Sequence, residues 1–129
     1  EFDAVISSHN LEHCNKPMET LTAMCKKLRG GGDLYLSFPG ERSINFPHRE
    51  GTLNFYDDPT HVYLPNYNDV LKLLKNNGLE IRVAKKQYRP IYYFLLGCMT
   101  EYLSRRRKKV MHGTWAFWGF ETVIWARKK

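Results

Sequence analysis

The chain has 129 residues, of which 43% are hydrophobic and 26% charged, and this composition is close to that of an average globular domain. Twenty Lys and Arg residues against 13 Asp and Glu residues give a formal net charge of +7, which favours anionic partners without naming one. The three cysteines are an odd number without CxxC spacing, which argues against a disulfide framework or a zinc ribbon. With no internal repeat or low-complexity tract, residues 1–129 are predicted to form a single domain.

The first predicted element is a strand over residues 2–8, FDAVISS. Its nearly continuous apolar run is typical of a parallel strand that is covered on both faces. The polar residues 7–10, SSHN, then lie at the carboxyl end of the strand, where ligands bind in open α/β sheets. A contact with a ligand is therefore predicted at this position.

A helix is predicted next, over residues 17–29, with Pro17 in its first turn. Apolar side chains recur in it at steps of three and four residues and form one stripe: Met18, Leu21, Cys25 and Leu28. The three glycines at residues 30–32 separate this helix from a second strand, DLYLSFP, and are interpreted as a helix stop. A glycine loop that cradles a cofactor runs instead from a strand into a helix.

The sequence runs from FDAVISSHNLEH through the predicted helix to LRGGG and DLYLSFP. This arrangement resembles strands four and five of the class I methyltransferases that depend on S-adenosylmethionine (SAM). HVYLPNYNDVLKLLKNNGLEI and ETVIWARKK are similar, more weakly, to the segments around strands six and seven of that family. Leu-Arg-Gly-Gly-Gly stands where the family usually has Leu-Lys-Pro-Gly-Gly. The resemblance implies an α/β, partial Rossmann-like methyltransferase fold with strands four to seven and flanking helices, in three α/β/α layers.

The resemblance also implies that the main cofactor-binding half is absent from this sequence. The family binds SAM mainly through a glycine-rich turn after strand one and acidic residues after strands two and three, and none of these precedes Glu1. By resemblance, Ser7, Ser8, His9 and Asn10 border the methionine part of SAM and are the expected cofactor contacts. The sequence is expected to be the carboxyl-terminal half of a methyltransferase-like domain, inactive as this fragment.

In the family's strand order, strand four pairs with strand one, so residues 2–8 are expected to form an unpaired, apolar sheet edge. Such edges recruit partners. Two outcomes are open, a homodimer that pairs through this strand and a longer natural protein that supplies the missing strand.

Residues 40–65 form a connection that is longer than ordinary connections in compact domains, and they are predicted to be an acceptor-side loop. The alternative is a mobile surface loop. The residues expected to bind the substrate are Pro39, Glu41, Arg42, Tyr56 and His61.

Methyl transfer needs an aligned acceptor and donor, and a base only if the acceptor loses a proton. A neutral histidine is the natural base near pH 7, so His61 is the first candidate for a catalytic residue and His9 the second. Packing or hydrogen bonding without chemistry is the alternative for each. Glu12 and His13 are expected to act locally, and no metal is predicted, because His9, His13 and Cys14 lack a second ligand pair.

A second helix is predicted to begin at a cap on Asn66 or Asn68 and to end at Asn77-Gly78, with a strand over residues 79–83 after it. Three of its apolar residues are expected to face inward: Val70, Leu71 and Leu74. At the end of the chain, a turn and a closing strand are predicted to bury Trp118, Phe120, Val123 and Trp125.

Residues 91–109 are predicted to be a helical insertion, apolar from Ile91 to Leu103 and then basic at five consecutive positions. The segment is too short to cross a bilayer. Its most ordinary interpretation is a core helix with a solvated basic end, and the alternatives are a dimer contact and a helix that rests on a membrane surface, near a lipid-linked acceptor. A cytoplasmic location, with peripheral membrane contact as the alternative, is expected because the amino end has no secretory signal pattern.

The predicted function is SAM-dependent methyl transfer to an unidentified small-molecule, glycan or lipid-precursor acceptor. The alternative is a noncatalytic basic module that binds nucleic acid or an anionic membrane surface. The basic run and the aromatic residues near it suit nucleic acid. No RNA- or DNA-binding motif is evident, however, so nucleic acid is the weaker choice.

Overall fold

Four strands form one sheet in the order β1-β2-β4-β3 in the computed structural model, which describes residues 1–129. They are β1 (Phe2–Ser8), β2 (Leu28–Pro39), β3 (Leu79–Lys85) and β4 (Glu121–Lys128). β1 and β2 are parallel, and β4 is antiparallel to both β2 and β3. β3 therefore runs in the same direction as β1 and β2, and the carboxyl ends of these three strands share one edge of the sheet.

Two helices pack on one face of the sheet, α1 (Pro17–Lys27) between β1 and β2, and α2 (Tyr67–Asn76) before β3. The predicted cap and stop of α2 are confirmed, because the Asn66 side chain accepts a hydrogen bond from the Asp69 N–H and Asn77 is the C-cap of the helix. α1 ends two residues earlier than predicted, since Leu28 is already extended.

The glycines at residues 30–32 belong to β2 and are not a helix stop. A Cβ atom on Gly32 would lie 3.1 Å from the carbonyl oxygens of both Phe2 and Asp3. A glycine is thus needed for the close approach of β1 and β2, at the point where their register shifts.

The main core lies between the sheet and the two helices. Alternate side chains of β2 point toward it, and its fully buried members from the sheet are Leu28, Leu34, Leu36, Phe38, Ile124 and Ala126. On the opposite face, Ile6, Tyr35 and Trp125 lie side by side across three strands and are 76%, 36% and 41% exposed, whereas Ser37 and Val123, nearer the carboxyl edge, are buried. The predicted burial of Trp125 is therefore wrong, and the chain's own residues form two of the three predicted layers.

β1 is the outermost strand, and one of its edges has no partner strand, as the resemblance implied. The strand is not covered on both faces as its apolar run predicted, because only Ser7 in it is buried and both Phe2 and Ile6 are largely exposed. What pairs with this edge stays a prediction.

The long connections at the carboxyl edge of the sheet pack against each other, and we call residues 40–65 and 86–120 together the cap. The cap contains α3 (Ile91–Arg107) and the short helix α4 (Thr114–Trp118) in place of the predicted turn. Within α3 only Gly97 and Ser104 are buried, so its interpretation as a core helix is wrong. The helix packs on α4 outside the sheet, which leaves most of its apolar surface without a partner. No helix in the structure has both the length and the apolar composition needed to span a membrane.

One carboxylate organises the middle of residues 40–65. Asp57 Oδ2 accepts hydrogen bonds from the backbone N–H groups of Arg49, Leu53 and Asn54, at 2.8–3.0 Å. The Asn54 side chain in turn donates to two carbonyl groups earlier in the loop. This internal hydrogen bonding argues against the alternative of a mobile surface loop.

Candidate functional site

His9 lies at the carboxyl end of β1, between two carboxylates. Its Nδ1–H donates to Glu12 Oε1 at 3.0 Å, and its Nε2–H donates to Glu121 Oε1 at 2.7 Å. Its backbone has a left-handed φ of 47°, and its ring packs against those of Trp115 and Phe120. His9 thereby joins the turn after β1 to the start of β4 and to the cap.

These two carboxylates determine the charge of His9. Burial alone would lower the pKa of the imidazole, but the hydrogen bonds and charges of Glu12 and Glu121 outweigh burial and raise the pKa to about 9. His9 is therefore protonated at pH 7 and both of its ring nitrogens are in use. The prediction of His9 as a catalytic base does not fit this environment.

Glu12 is completely buried, in the turn between β1 and α1. Oε1 binds His9, whereas Oε2 is buried and has no hydrogen-bond partner. The backbone carbonyl of Glu12 also accepts the N–H groups of Val62 and Tyr63, which fixes residues 40–65 to the turn after β1. The expectation of a local role for Glu12 is thus met by its backbone, and its carboxylate keeps one free oxygen.

His61 and His13 pack together near Glu12, with ring centroids 4.9 Å apart. His61 Nδ1 lies 2.6 Å from the Phe55 carbonyl oxygen, which can only accept, so Nδ1 carries the proton. In the neutral ring the lone pair is then on Nε2. This atom can accept a proton or bind a metal ion.

A cavity of about 240 Å³ connects these groups. It is lined by His9, Glu12, His13, Gly51, Thr52, Asp58, His61, Trp115 and Phe120. The structure therefore brings His9 and His61 to one cavity although 52 positions separate them in the sequence. It adds Glu12 and His13 to their surroundings.

A second, larger cavity of about 600 Å³ lies on the other side of Trp115, within the cap. Its lining is mainly apolar and aromatic, and includes Tyr93, Val110 and Met111. Glu121, the partner of His9, also lines it, so it adjoins the polar cluster. The sequence analysis missed this cavity because its walls come from separate elements, including α3, α4 and the start of β4, which only the fold brings together.

The expected cofactor residues differ in whether their side chains are free to bind a ligand. Ser7 Oγ is buried without a partner, and the Asn10 side chain makes no hydrogen bond within the chain. Ser8 Oγ contacts Ser37 Oγ at 2.9 Å, and the His9 side chain is committed to its carboxylates. Ser7 and Asn10 thus fit a polar ligand at the end of β1, and the His9 side chain does not.

Most of the expected substrate residues do not reach either cavity. Glu41 accepts hydrogen bonds from the Asn66 side chain and the Tyr67 N–H, so it anchors the start of α2. Arg42 and Tyr56 are exposed, and Pro39 is buried in β2. Of this set, only His61 lines a cavity. Binding roles for the other four residues remain untested predictions.

The fold is that of SAM-dependent methyltransferases. A SAM-dependent methyltransferase from Mesorhizobium loti superposes with a TM-score of 0.64 over 98% of this chain and 62% of its own, at 13% sequence identity. One from Archaeoglobus fulgidus superposes with a TM-score of 0.55 over 98% of this chain and 59% of its own, at 20% sequence identity. The [4+2]-cyclase SpnF superposes with a TM-score of 0.54 over 98% of this chain and 49% of its own, at 19% sequence identity.

These similarities confirm the predicted methyltransferase-like α/β fold. No protein-family model matches this sequence, and no curated protein matches it. The chain spans about half to three fifths of the length of these three structures. Because one fold hosts many chemistries, the activity must be argued from the site itself.

Proposed function

We propose that this chain forms the acceptor-binding half of a SAM-dependent methyltransferase. The observation that carries the proposal is the cluster of polar side chains at one end of β1, inside a sheet whose strand order and directions are those of the methyltransferase fold. Ligands of open α/β sheets bind at this edge. The cap covers the same edge and supplies two cavities to it.

SAM, when bound, supplies an electrophilic methyl group. The chain's own contribution to its binding is the Ser7 hydroxyl and the Asn10 side chain, the two polar groups at the end of β1 that have no partner within the chain. The main cofactor contacts would come from outside this sequence, beside the unpaired edge of β1.

The two cavities suit an amphiphilic acceptor. A polar reacting end would fit the smaller cavity, which is lined by charged and histidine side chains, and an apolar remainder would fit the larger one. Trp115 lines both cavities and would contact both parts of the acceptor. Among the expected acceptor classes, a lipid precursor matches this division best.

The cofactor proposal predicts that SAM binds the chain only when it is extended upstream, as far as its gene encodes further residues. In calorimetry, the 129-residue chain should show no saturable binding of SAM, because the residues left to it make few contacts. The extended chain should bind, and Asn10→Ala should weaken that binding several-fold. Asn76→Ala at the exposed end of α2 is the matched control. An extended, folded chain that binds no SAM would contradict the proposal.

A specific observation also favours a second role, peripheral binding to an anionic membrane. Ile91, Leu95, Met99 and Tyr102 follow one another at steps of four, four and three, so they share one face of α3, and they are 71%, 55%, 82% and 75% exposed. The five basic residues 105–109 follow directly. An apolar helix face beside a basic cluster matches the surface of the anionic cytoplasmic leaflet.

The membrane role predicts that the chain sediments with vesicles of phosphatidylcholine and phosphatidylserine, and less with phosphatidylcholine alone. Met99→Glu should lower the bound fraction several-fold by placing a charge in the apolar face. Tyr56→Glu, which changes an exposed aromatic residue elsewhere in the cap, should not. Equal sedimentation of both variants would refute the role, and tight, salt-sensitive binding to short oligonucleotides in place of vesicles would point to nucleic acid.

A further inference from the structure

Three potential metal ligands from two distant parts of the sequence meet beside the smaller cavity. Glu12 and His13 follow β1, and His61 comes from the cap, and one ligand atom from each lies within 4.8 Å of the others. In a tetrahedral Zn²⁺ site with metal–ligand distances of about 2.1 Å, the ligand atoms lie about 3.4 Å from one another. Small side-chain rotations would bring the three ligand atoms to that separation. His13 is exposed, whereas the His61 ring is buried and stacks on Phe55.

Both histidines are held in the tautomer that leaves Nε2 without a proton in the neutral ring. His61 Nδ1–H donates to the Phe55 carbonyl. The Thr60 hydroxyl donates to Asp58, so His13 Nδ1–H is the donor in its contacts with the Thr60 carbonyl and hydroxyl oxygens, at 3.2 and 2.9 Å. Nε2 of each ring is then the candidate ligand atom, and that of His61 lies 3.7 Å from Asp58 Oδ2. A backbone carbonyl on the other ring nitrogen is the usual outer partner of a metal-binding histidine.

The carboxylate of Glu12 independently indicates a cation. Its side chain is 0% exposed, yet Oε2 has no hydrogen-bond partner. A buried, unpaired carboxylate oxygen is costly, and native structures normally satisfy it with a donor, an ordered water or an ion. Oε1 is held by His9, which fixes the orientation of the carboxylate and leaves Oε2 for a ligand.

We propose that Glu12, His13 and His61 bind one divalent transition-metal ion, with Zn²⁺ as the best match to two imidazoles and one carboxylate. Three protein ligands leave a fourth position open at the cavity. If the proposed methyl transfer is correct, an oxygen of the acceptor would occupy that position, and His61 would act as a ligand of the metal rather than as a base. Binding of the metal itself does not depend on that reaction.

This inference revises the expectation that no metal binds. The sequence analysis considered His9, His13 and Cys14 as one local set. The structure replaces His9, whose nitrogens are occupied, and Cys14 by Glu12 and by His61, which is 48 positions from His13. Over that separation in the sequence, no spacing motif links His61 to the Leu-Glu-His turn.

The test is a calorimetric titration of ZnCl₂ into the 129-residue chain, with CoCl₂ as a spectroscopic probe. We expect one Zn²⁺ per chain, with affinity lowered at least tenfold by His13→Ala and by His61→Ala. His13 is exposed, so its variant is expected to fold, and circular dichroism checks this. His112→Ala, which removes an exposed histidine outside the cluster, is the matched control and should leave the affinity unchanged.

Cys14→Ser separates this site from a thiolate site, because Cys14 is adjacent to His13. It should leave Zn²⁺ affinity unchanged, and the Co²⁺ complex should lack a thiolate charge-transfer band. Absence of binding, a loss of affinity in Cys14→Ser, or equal affinity of the His13→Ala and His112→Ala variants would each overturn the proposal. None of these measurements requires SAM, so a failure of the proposed methyl transfer would not be confused with a failure of the metal site.

Discussion

Replacement of Glu101 by Leu should lower the free energy of unfolding by about 3–5 kcal/mol, because it leaves the guanidinium of Arg49 buried without a partner charge. Arg49 joins residues 40–65 to α3 through two hydrogen bonds to Glu101, at 2.6 and 2.9 Å, and one to Ser104 Oγ at 2.8 Å. Its side chain is only 3% exposed. The guanidinium of Arg49 packs over the ring of Trp118, and Trp118 Nε1–H donates a hydrogen bond to Glu101.

Urea unfolding measures this loss, with Glu19→Leu as the control. Glu19 pairs with Lys16 on the surface, where both side chains are 72% exposed, so its loss should change stability by less than about 1 kcal/mol. The double variant Arg49→Leu, Glu101→Leu should be more stable than Glu101→Leu alone, because it removes the unpaired charge. If the double variant is as unstable as the sum of the two single losses, the charge pair is not the cause.

Replacement of Asp57 by Asn should destabilise the chain at neutral pH by about 2–3 kcal/mol, the scale of hydrogen bonds to a charged group. Burial alone would raise the pKa of Asp57, but the hydrogen bonds from the Arg49 N–H, the His48 ring and the N–H groups of Asn54 and Leu53 outweigh it, so the pKa lies below its ordinary value of 3.8. The charged carboxylate therefore stabilises the fold above pH 3.8, and this stabilisation is lost as the pH falls through the lowered pKa.

Unfolding by urea at a series of pH values from 7 to 3 checks the sign. The difference between the wild-type chain and Asp57→Asn should be constant from pH 7 to about pH 5 and should shrink below about pH 4. Glu19→Gln, at an exposed carboxylate, should show no such convergence beyond experimental error. A difference that grows as the pH falls would contradict the lowered pKa.

Local signals in the sequence predicted elements well where the structure uses local contacts. The capping Asn66 and the Asn77-Gly78 stop define α2 through hydrogen bonds within a few residues, so they were readable without knowledge of the fold. The apolar composition of α3 misled the prediction, because burial depends on what the rest of the chain places against a helix. The prediction for Trp125 failed for the same reason, since the chain places nothing over its part of the sheet.

The candidate site could be predicted only in part. The position of His9 at the end of a strand was evident, and the resemblance to methyltransferases located that strand in the sheet. Its protonation was not predictable, because Glu121 is 112 positions away and only the pairing of β4 with β2 brings it close. The meeting of His61 with Glu12 depends on backbone hydrogen bonds across the cap, which have no sequence pattern.

The division between sheet and cap also has a kinetic consequence. The two parts of the cap are separated by α2 and β3, and the contact between Arg49 and Glu101 closes a loop of 52 residues. Contacts that close long loops carry a high entropic cost and form late during folding. The pairing of β2 with β4 joins residues that are further apart, such as Pro39 and Glu121, and it brings the two parts of the cap to one edge of the sheet. The cap is therefore expected to close after the sheet has formed.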